Sequence, residues 1–257
     1  MNIPRSSLYD ARRNGVRRKV IKGNERQAVV EAFVEHHGSF GRRMLKRILE
    51  RNGVRISEYR IRKVMQAEGL CAKYGRKRCK NIYTSKATER YLHENVWAQL
   101  KPEERAKLEV WSMDFTEVKI QRKKIYTCGI ISVNRKILVG YAQASCCTAE
   151  LALTALRKAL QEFGRPDMIM TDRGPQFTSR AFFDMMQENK ITHSMSRPYK
   201  PIDNRFIETF WKSMKVEMGR LDLLTPETYR MVVDYYINYY NYLRPHSSLN
   251  YRTPLIA

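Results

Sequence analysis

Met168-Ile169-Met170-Thr171-Asp172-Arg173-Gly174 is an apolar run that stops at an acid and a turn residue, and Asp203-Asn204-Arg205-Phe206-Ile207-Glu208 follows it with 35 residues between Asp172 and Glu208. The first run reads as a short buried strand. Asp172 then falls just past its carboxyl end, where open α/β sheets hold their sites. The second run opens a helix, because Phe206, Phe210, Met214 and Met218 recur every fourth residue. At about 100° per residue Glu208 lies off that apolar stripe and shares its face with Lys212 and Lys215.

Working upstream, Val110 to Ile120 alternates as a strand and carries Asp114 within Trp111-Ser112-Met113-Asp114-Phe115-Thr116. An Asp on a half-buried strand is unfavourable unless it is paired or binds a metal. Lys124 to Val133 and Ile137 to Ser145 read as two further strands of a meander. Thr148 caps a helix bearing Leu151, Leu153, Leu156 and Leu160; Ser179 to Asn189 is another helix, and Ile191 to Met195 a strand. This order predicts a mixed α/β sheet with helices on its faces. One Asp taken alone is more often half of a surface ion pair. Three carboxylates on these elements form the donor type that Mg²⁺ prefers, with Mn²⁺ able to substitute. Two such ions about 4 Å apart can activate an attacking oxygen and stabilise a leaving one at phosphorus. The expectation is therefore a catalytic, metal-binding set of Asp114, Asp172 and Glu208.

Charge points the same way. The 257 residues carry a formal +22, of which +16 falls on residues 1–108. Such an imbalance suits a polyanionic partner, most simply nucleic acid; the family resemblance given below narrows that to double-stranded DNA. Five cysteines without a secretory signal suit a reduced, cytoplasmic setting, which the family resemblance given below places at the bacterial nucleoid. No apolar run approaches the ~18 residues of a membrane span.

The predicted organisation is a basic segment at 1–22, a helical DNA-binding domain at 23–70, a basic linker at 71–107 and a catalytic core at 108–257. Within the helical domain, Val29, Val30, Phe33 and Val34 share one face of a first helix. Met44, Leu45, Ile48 and Leu49 mark a second. Ser57 caps a third, which carries Ile61, Val64 and Met65. Arg60, Arg62 and Lys63 on that third helix are expected DNA contacts of helix-turn-helix type. Arg76, Lys77 and Arg78 in the linker are expected to track the backbone. His36, His37, Cys71 and Cys79 lack zinc-site spacing, because adjacent histidines on a helix point about 100° apart.

At these residues the chain resembles the OrfB-type transposases of insertion-sequence family 3, whose integrase-like core has a ribonuclease H-like fold. The resemblance rests on Trp111 to Thr116, on Thr171 to Ser179, and on His193 to Arg197. It extends to Asp203-Asn204 with Ile207 to Phe210, to Tyr240 to His246, and upstream to His37 to Arg43 and Val64 to Leu70. It implies cleavage at element ends with water, then transfer of 3′-OH ends to target DNA by transesterification. It makes Asp114, Asp172 and Glu208 the catalytic triad, Lys215 a DNA contact, and Asn204 a polar residue beside the site. It also implies a homo-oligomer on DNA and an upstream-frame partner or fusion. Met170, Tyr199 and Arg205 depart from the pattern, where His, Gly and Ala are usual. The competing readings are a catalytically impaired DNA-binding remnant or regulator and a nuclease for RNA–DNA hybrids. Tyr235, Tyr236, Tyr239, Tyr240 and Tyr242 crowd a last helix, read as core packing with base stacking as the alternative. Arg244 and His246 are read as structural or phosphate contacts.

Overall fold

Three consecutive strands joined by short polar turns form one half of the sheet. β1 (Val110–Ile120), β2 (Lys123–Ser132) and β3 (Leu138–Ala144) pair antiparallel. β4 (Met168–Thr171) and β5 (Thr192–Met195) add in parallel beside β1, giving the order β3-β2-β1-β4-β5. The mixed sheet is that of a ribonuclease H-like fold. The computed structural model describes residues 23–73, 92–197 and 201–256. The chain divides into two units, Met1–Ala72 and Lys73–Ala257. The basic segment 1–22, Arg76, Lys77, Arg78, Cys79 and Tyr199 lie outside the described residues.

In the first unit the three helices are α1 (Gly23–Glu35), α2 (Arg42–Arg51) and α3 (Glu58–Ala67). The Ser57 hydroxyl accepts the Arg60 N–H at 3.3 Å, as its N-cap position requires. Val29, Phe33, Leu45, Ile48, Leu49, Ile61 and Val64 form the core. Val34, expected inside with Val29 and Phe33, is 65% exposed, and Ala32 takes the inward position. The inward stripe is thus Val29–Ala32–Phe33, which follows the i, i+3, i+4 rule more closely than the sequence reading did.

In the second unit, residues 92–107 correct the expected linker. They contain α4 (Val96–Gln99) and α5 (Pro102–Lys107). Val96, Trp97 and Leu100 pack against Val110, Val133, Met168 and Met170. The Trp97 N–H donates to Ser194 Oγ at 3.1 Å. Lysines and arginines hid this segment's few apolar anchors.

The sheet is covered on both faces. α6 (Ala149–Phe163), capped by Thr148, and α7 (Arg180–Glu188), capped by Ser179, cover the face bearing Trp111, Met113, Cys128 and Ile130. α8 (Arg205–Met218) and α9 (Pro226–Asn238) cover the face bearing Ile125, Ile131 and Leu138. The chain then closes in one π-type turn, Tyr239–Leu243. There the Asn241 carboxamide accepts from the Leu138 N–H at 2.9 Å and donates to its carbonyl at 3.0 Å. That pairing satisfies edge-strand groups next to the register shift at Ile130/Ile131. Tyr229, Tyr236, Tyr239 and Tyr240 are buried against Phe210 and Trp211, so core packing accounts for them; Tyr235 and Tyr242 are exposed. Arg244 is buried too. Its guanidinium holds the fully buried Glu217 carboxylate at 2.7 Å, and Tyr236 Oη donates to the same group at 3.1 Å. Arg244 is therefore a structural ion-pair partner rather than a phosphate contact.

Candidate active site

Strand register brings the first two acids together. In the parallel pair, Val110 faces Met168 and Ser112 faces Met170. Extending the register by two residues sets Asp114 level with Asp172. Side-chain alternation then puts both on one sheet face. That face is identified by their neighbours. Asp114 pairs in register with Gly129 on β2, and Gly129 lies under Trp211 of α8. α8, the helix bearing Glu208, thus covers the same face.

Gly129 explains how α8 comes so close. A Cβ at that position would stand 2.7 Å from two atoms of the Trp211 ring and 3.6 Å from Ile207 Cδ1. A glycine inside a strand commonly marks such a close approach. Any larger residue opposite Asp114 would push out the helix turn that carries Glu208.

The start of α8 is fixed from three directions. Ser112 Oγ, on β1, donates to Asn204 Oδ1 at 2.8 Å. The Asp203 carboxylate accepts from Asn95 Nδ2 at 2.6 Å and from the Arg197 backbone and guanidinium at 3.0 Å. These contacts hold Asp203 below the usual carboxylate range, the Arg197 hydrogen bond first among the causes. Asn204, expected as a polar residue beside the site and a candidate DNA contact, is only 5% exposed and bonded to Ser112, so it is a strut between β1 and α8.

Asp172 is held by its own turn. The Gly174 N–H donates to Asp172 Oδ1 at 2.8 Å. Thr171 Oγ1 bonds His193 Nε2 at 2.9 Å across to β5, and Arg173 Nε donates to the Ser196 carbonyl at 3.0 Å. Burial lowers the His193 pKa to about 3, and the nearby His93 lowers it too, so His193 is a neutral partner at pH 7. Gln176 donates to the carbonyl and Sγ of Cys147 at 3.1 and 3.3 Å. Cys147 is close enough to Asp172 and Asp114 for both to raise its pKa after burial does.

Electrostatics tie the three acids into one neighbourhood. Burial pushes Asp114 well above the ordinary carboxylate range, Asp172 and Glu208 push it further, and Lys215 opposes them. Asp172 is raised by burial against the pull of the Gly174 N–H, and Glu208 by burial and then by Asp172. Asp114 is half-buried, while Asp172 and Glu208 reach solvent. The surrounding protein mass removes part of their hydration without closing the site. Mutually repelling carboxylates with Lys215 nearby present hard oxygen donors of the kind that suit Mg²⁺ or Mn²⁺. As placed, no group of three or more His, Cys, Asp or Glu among the described residues is gathered around one point. The structure brings these acids to one face of the sheet rather than into a closed cage.

Lys212 and Lys215 are exposed on the same side of α8 as Glu208. In the first unit Arg62 and Lys63 are exposed, whereas Arg60 is half-buried and bonded to Glu25 at 2.9 Å, which ties α3 to α1.

Residues 104–201 and 189–254 each match a family model of the integrase core domain, and residues 22–78 match that of an HTH-like domain. The two core matches together cover 104–254. The transposase for insertion sequence element IS904 of Lactococcus lactis is 28% identical, over 89% of this chain and 90% of its own length. The chain belongs to the OrfB-type transposases of insertion-sequence family 3. Transposase InsF for insertion sequence IS3A of Escherichia coli is 27% identical, over 85% of this chain and 76% of its own length. Among solved structures, the HTLV-2 integrase catalytic core domain is similar at 19% identity and a TM-score of 0.48, over 57% of this chain and 93% of that one. Membership of a transposase family assigns the chain to DNA transposition in general. The Ser112–Asn204 strut and the Gly129 seat were not read from sequence, although a glycine inside β2 was an available signal.

Proposed function

We propose that this transposase-family chain cuts DNA at element ends and joins the freed 3′-OH ends to target DNA, with Asp114, Asp172 and Glu208 holding a pair of Mg²⁺ ions. The observation that carries the reading is the coincidence of register, sheet face and mutual charge among the three acids. When bound, the ions would supply Lewis acidity to the attacking and leaving oxygens. The chain supplies position. Asp172 is aimed by the Gly174 N–H, Glu208 by the Gly129–Trp211 seat, and Asp114 by its pairing with Gly129 on β2. Lys212 and Lys215 hold backbone phosphates beside the acids. In the first step water attacks the phosphodiester at the element end, a P–O bond breaks, and the 3′-oxygen leaves. In the second step that 3′-OH attacks a target phosphodiester, one P–O bond forms as another breaks, and no protein–DNA bond is made. Arg62 and Lys63 are proposed to contact DNA from the helical unit, and the chain to act as an oligomer on DNA.

The test is incubation of the full chain with duplex DNA carrying an element end, with Mg²⁺ or Mn²⁺ and with chelator. Cut ends and joined products that appear only with the ion are expected. Binding of that DNA without any ion-dependent cutting or joining would refute the proposal.

A further inference from the structure

Two cations gather at the start of α8 on one aromatic ring. Lys136 Nζ and Arg205 Cζ each stand 5.0 Å from the centroid of the Phe206 ring, so the two charges are no more than twice that distance apart. Among the described residues neither forms an ion pair with a carboxylate, unlike Arg197, Arg220 and Arg244. Lys136 Nζ is held by the Val133 carbonyl. Like charges brought together on one aromatic ring cost repulsion unless an anion joins them.

Lys136 also carries backbone strain. Its φ is 61°, the left-handed region that a long side chain rarely adopts and that Gly or Asn accept readily. The turn from β2 to β3 closes there, with the Lys136 N–H donating to the Ser132 carbonyl at 2.9 Å.

The position fits the proposed catalytic site. Phe206 packs on Val110, Val133, Met168 and Met170, at the entry ends of β1 and β4. Arg205, Glu208, Lys212 and Lys215 are all exposed and recur at i, i+3, i+7 and i+10, which is one face of α8. From Arg205 to Lys215 the helix rises about 15 Å at 1.5 Å per residue. That length covers about four nucleotide steps of one strand at 3.4 Å each.

We propose that Lys136 and Arg205 form a phosphate-binding subsite for the DNA backbone on the N-terminal side of Glu208, opposite Lys212 and Lys215. This rests on the acids being the reaction centre, since it makes the strand run along α8 across Glu208. The Phe206 ring lies beside both cations.

The experiment measures binding of a duplex oligonucleotide to the full chain across a salt series, without divalent ion, so that catalysis plays no part. The Lys136→Asn, Arg205→Gln double variant is expected to lower the slope of log affinity against log salt by about one. Its Tm should equal or exceed that of the parent, because Asn relieves the strain at position 136. Lys158→Gln, on the exposed side of α6 over the other sheet face, is expected to leave the slope unchanged. An unchanged slope in the double variant, or an equal loss in Lys158→Gln, would overturn the subsite. A folded double variant is confirmed by Tm, and if it unfolds, Arg205→Gln alone carries the test with the same expected direction. If ion-dependent joining fails while the slope still falls, the catalytic reading is lost and the phosphate subsite stands. If joining succeeds with the slope unchanged, the subsite is lost and the catalytic reading stands.

Discussion

Asp172→Asn should abolish ion-dependent cutting and joining while leaving the fold and DNA binding intact. Asn keeps the size of the side chain and an oxygen for the Gly174 N–H, which lies 2.8 Å from Asp172 Oδ1. What it removes is one unit of charge from a site built of three. A metal's charge stabilisation in the transition state amounts to several kcal/mol. At 1.36 kcal/mol per tenfold, the rate should fall by about a thousandfold or more. DNA affinity should hold or rise, because a negative charge leaves the face shared with Lys212 and Lys215. Tm should hold or rise as well, since Asp172 now raises the pKa of both Asp114 and Glu208 by repulsion. Joining kinetics with labelled end DNA, thermal melting and fluorescence anisotropy measure the three quantities. Activity within tenfold of the parent would remove Asp172 from the mechanism.

Arg244→Ala is the substitution with the largest expected cost in stability. It strips the partner from Glu217, whose side chain is fully buried and accepts from Arg244 at 2.7 and 3.0 Å. Breaking a buried pair from one side leaves a charge without hydration, at roughly 3–5 kcal/mol. Tyr236, at 3.1 Å from the same carboxylate, donates a neutral hydrogen bond that does not replace the guanidinium charge. Replacing both partners, as Arg244→Met with Glu217→Leu, should recover most of the loss, because neither charge then remains buried. Urea unfolding midpoints of the three proteins test this. Equal stability of Arg244→Ala and the parent would show that the pair contributes little. Glu217 lies on α8, so loosening the pair should also lower activity by releasing the helix that carries Glu208.

Much of this was legible from residue order. β1, β4 and α6 to α8 follow from alternation and fourfold spacing, and the caps Ser57, Thr148 and Ser179 lie where a hydroxyl precedes an apolar stripe. The three acids were legible because an Asp inside a strand, an Asp after one and a Glu off an apolar stripe each break a local rule. Long-range pairings were not. Nothing near Asn204 announces Ser112, 92 residues away, so a polar residue beside Glu208 looked like a ligand contact although the fold uses it as a strut. Val34 was misplaced because two adjacent β-branched residues satisfy a helical stripe from either side. Residues 92–107 were read as linker because charge outweighs their apolar anchors Val96, Trp97 and Leu100 in composition, though not in packing.

The central claim is that Asp114, Asp172 and Glu208 make one metal site, and direct Mn²⁺ binding tests it. Electron paramagnetic resonance follows the loss of free Mn²⁺ signal as the full chain is titrated, for the parent, Asp114→Asn, Asp172→Asn and Glu208→Gln. Saturable binding by the parent, weakened in all three variants while each melts cooperatively, is the expected result. Mn²⁺ binding of equal strength in the parent and the folded variants would contradict the account.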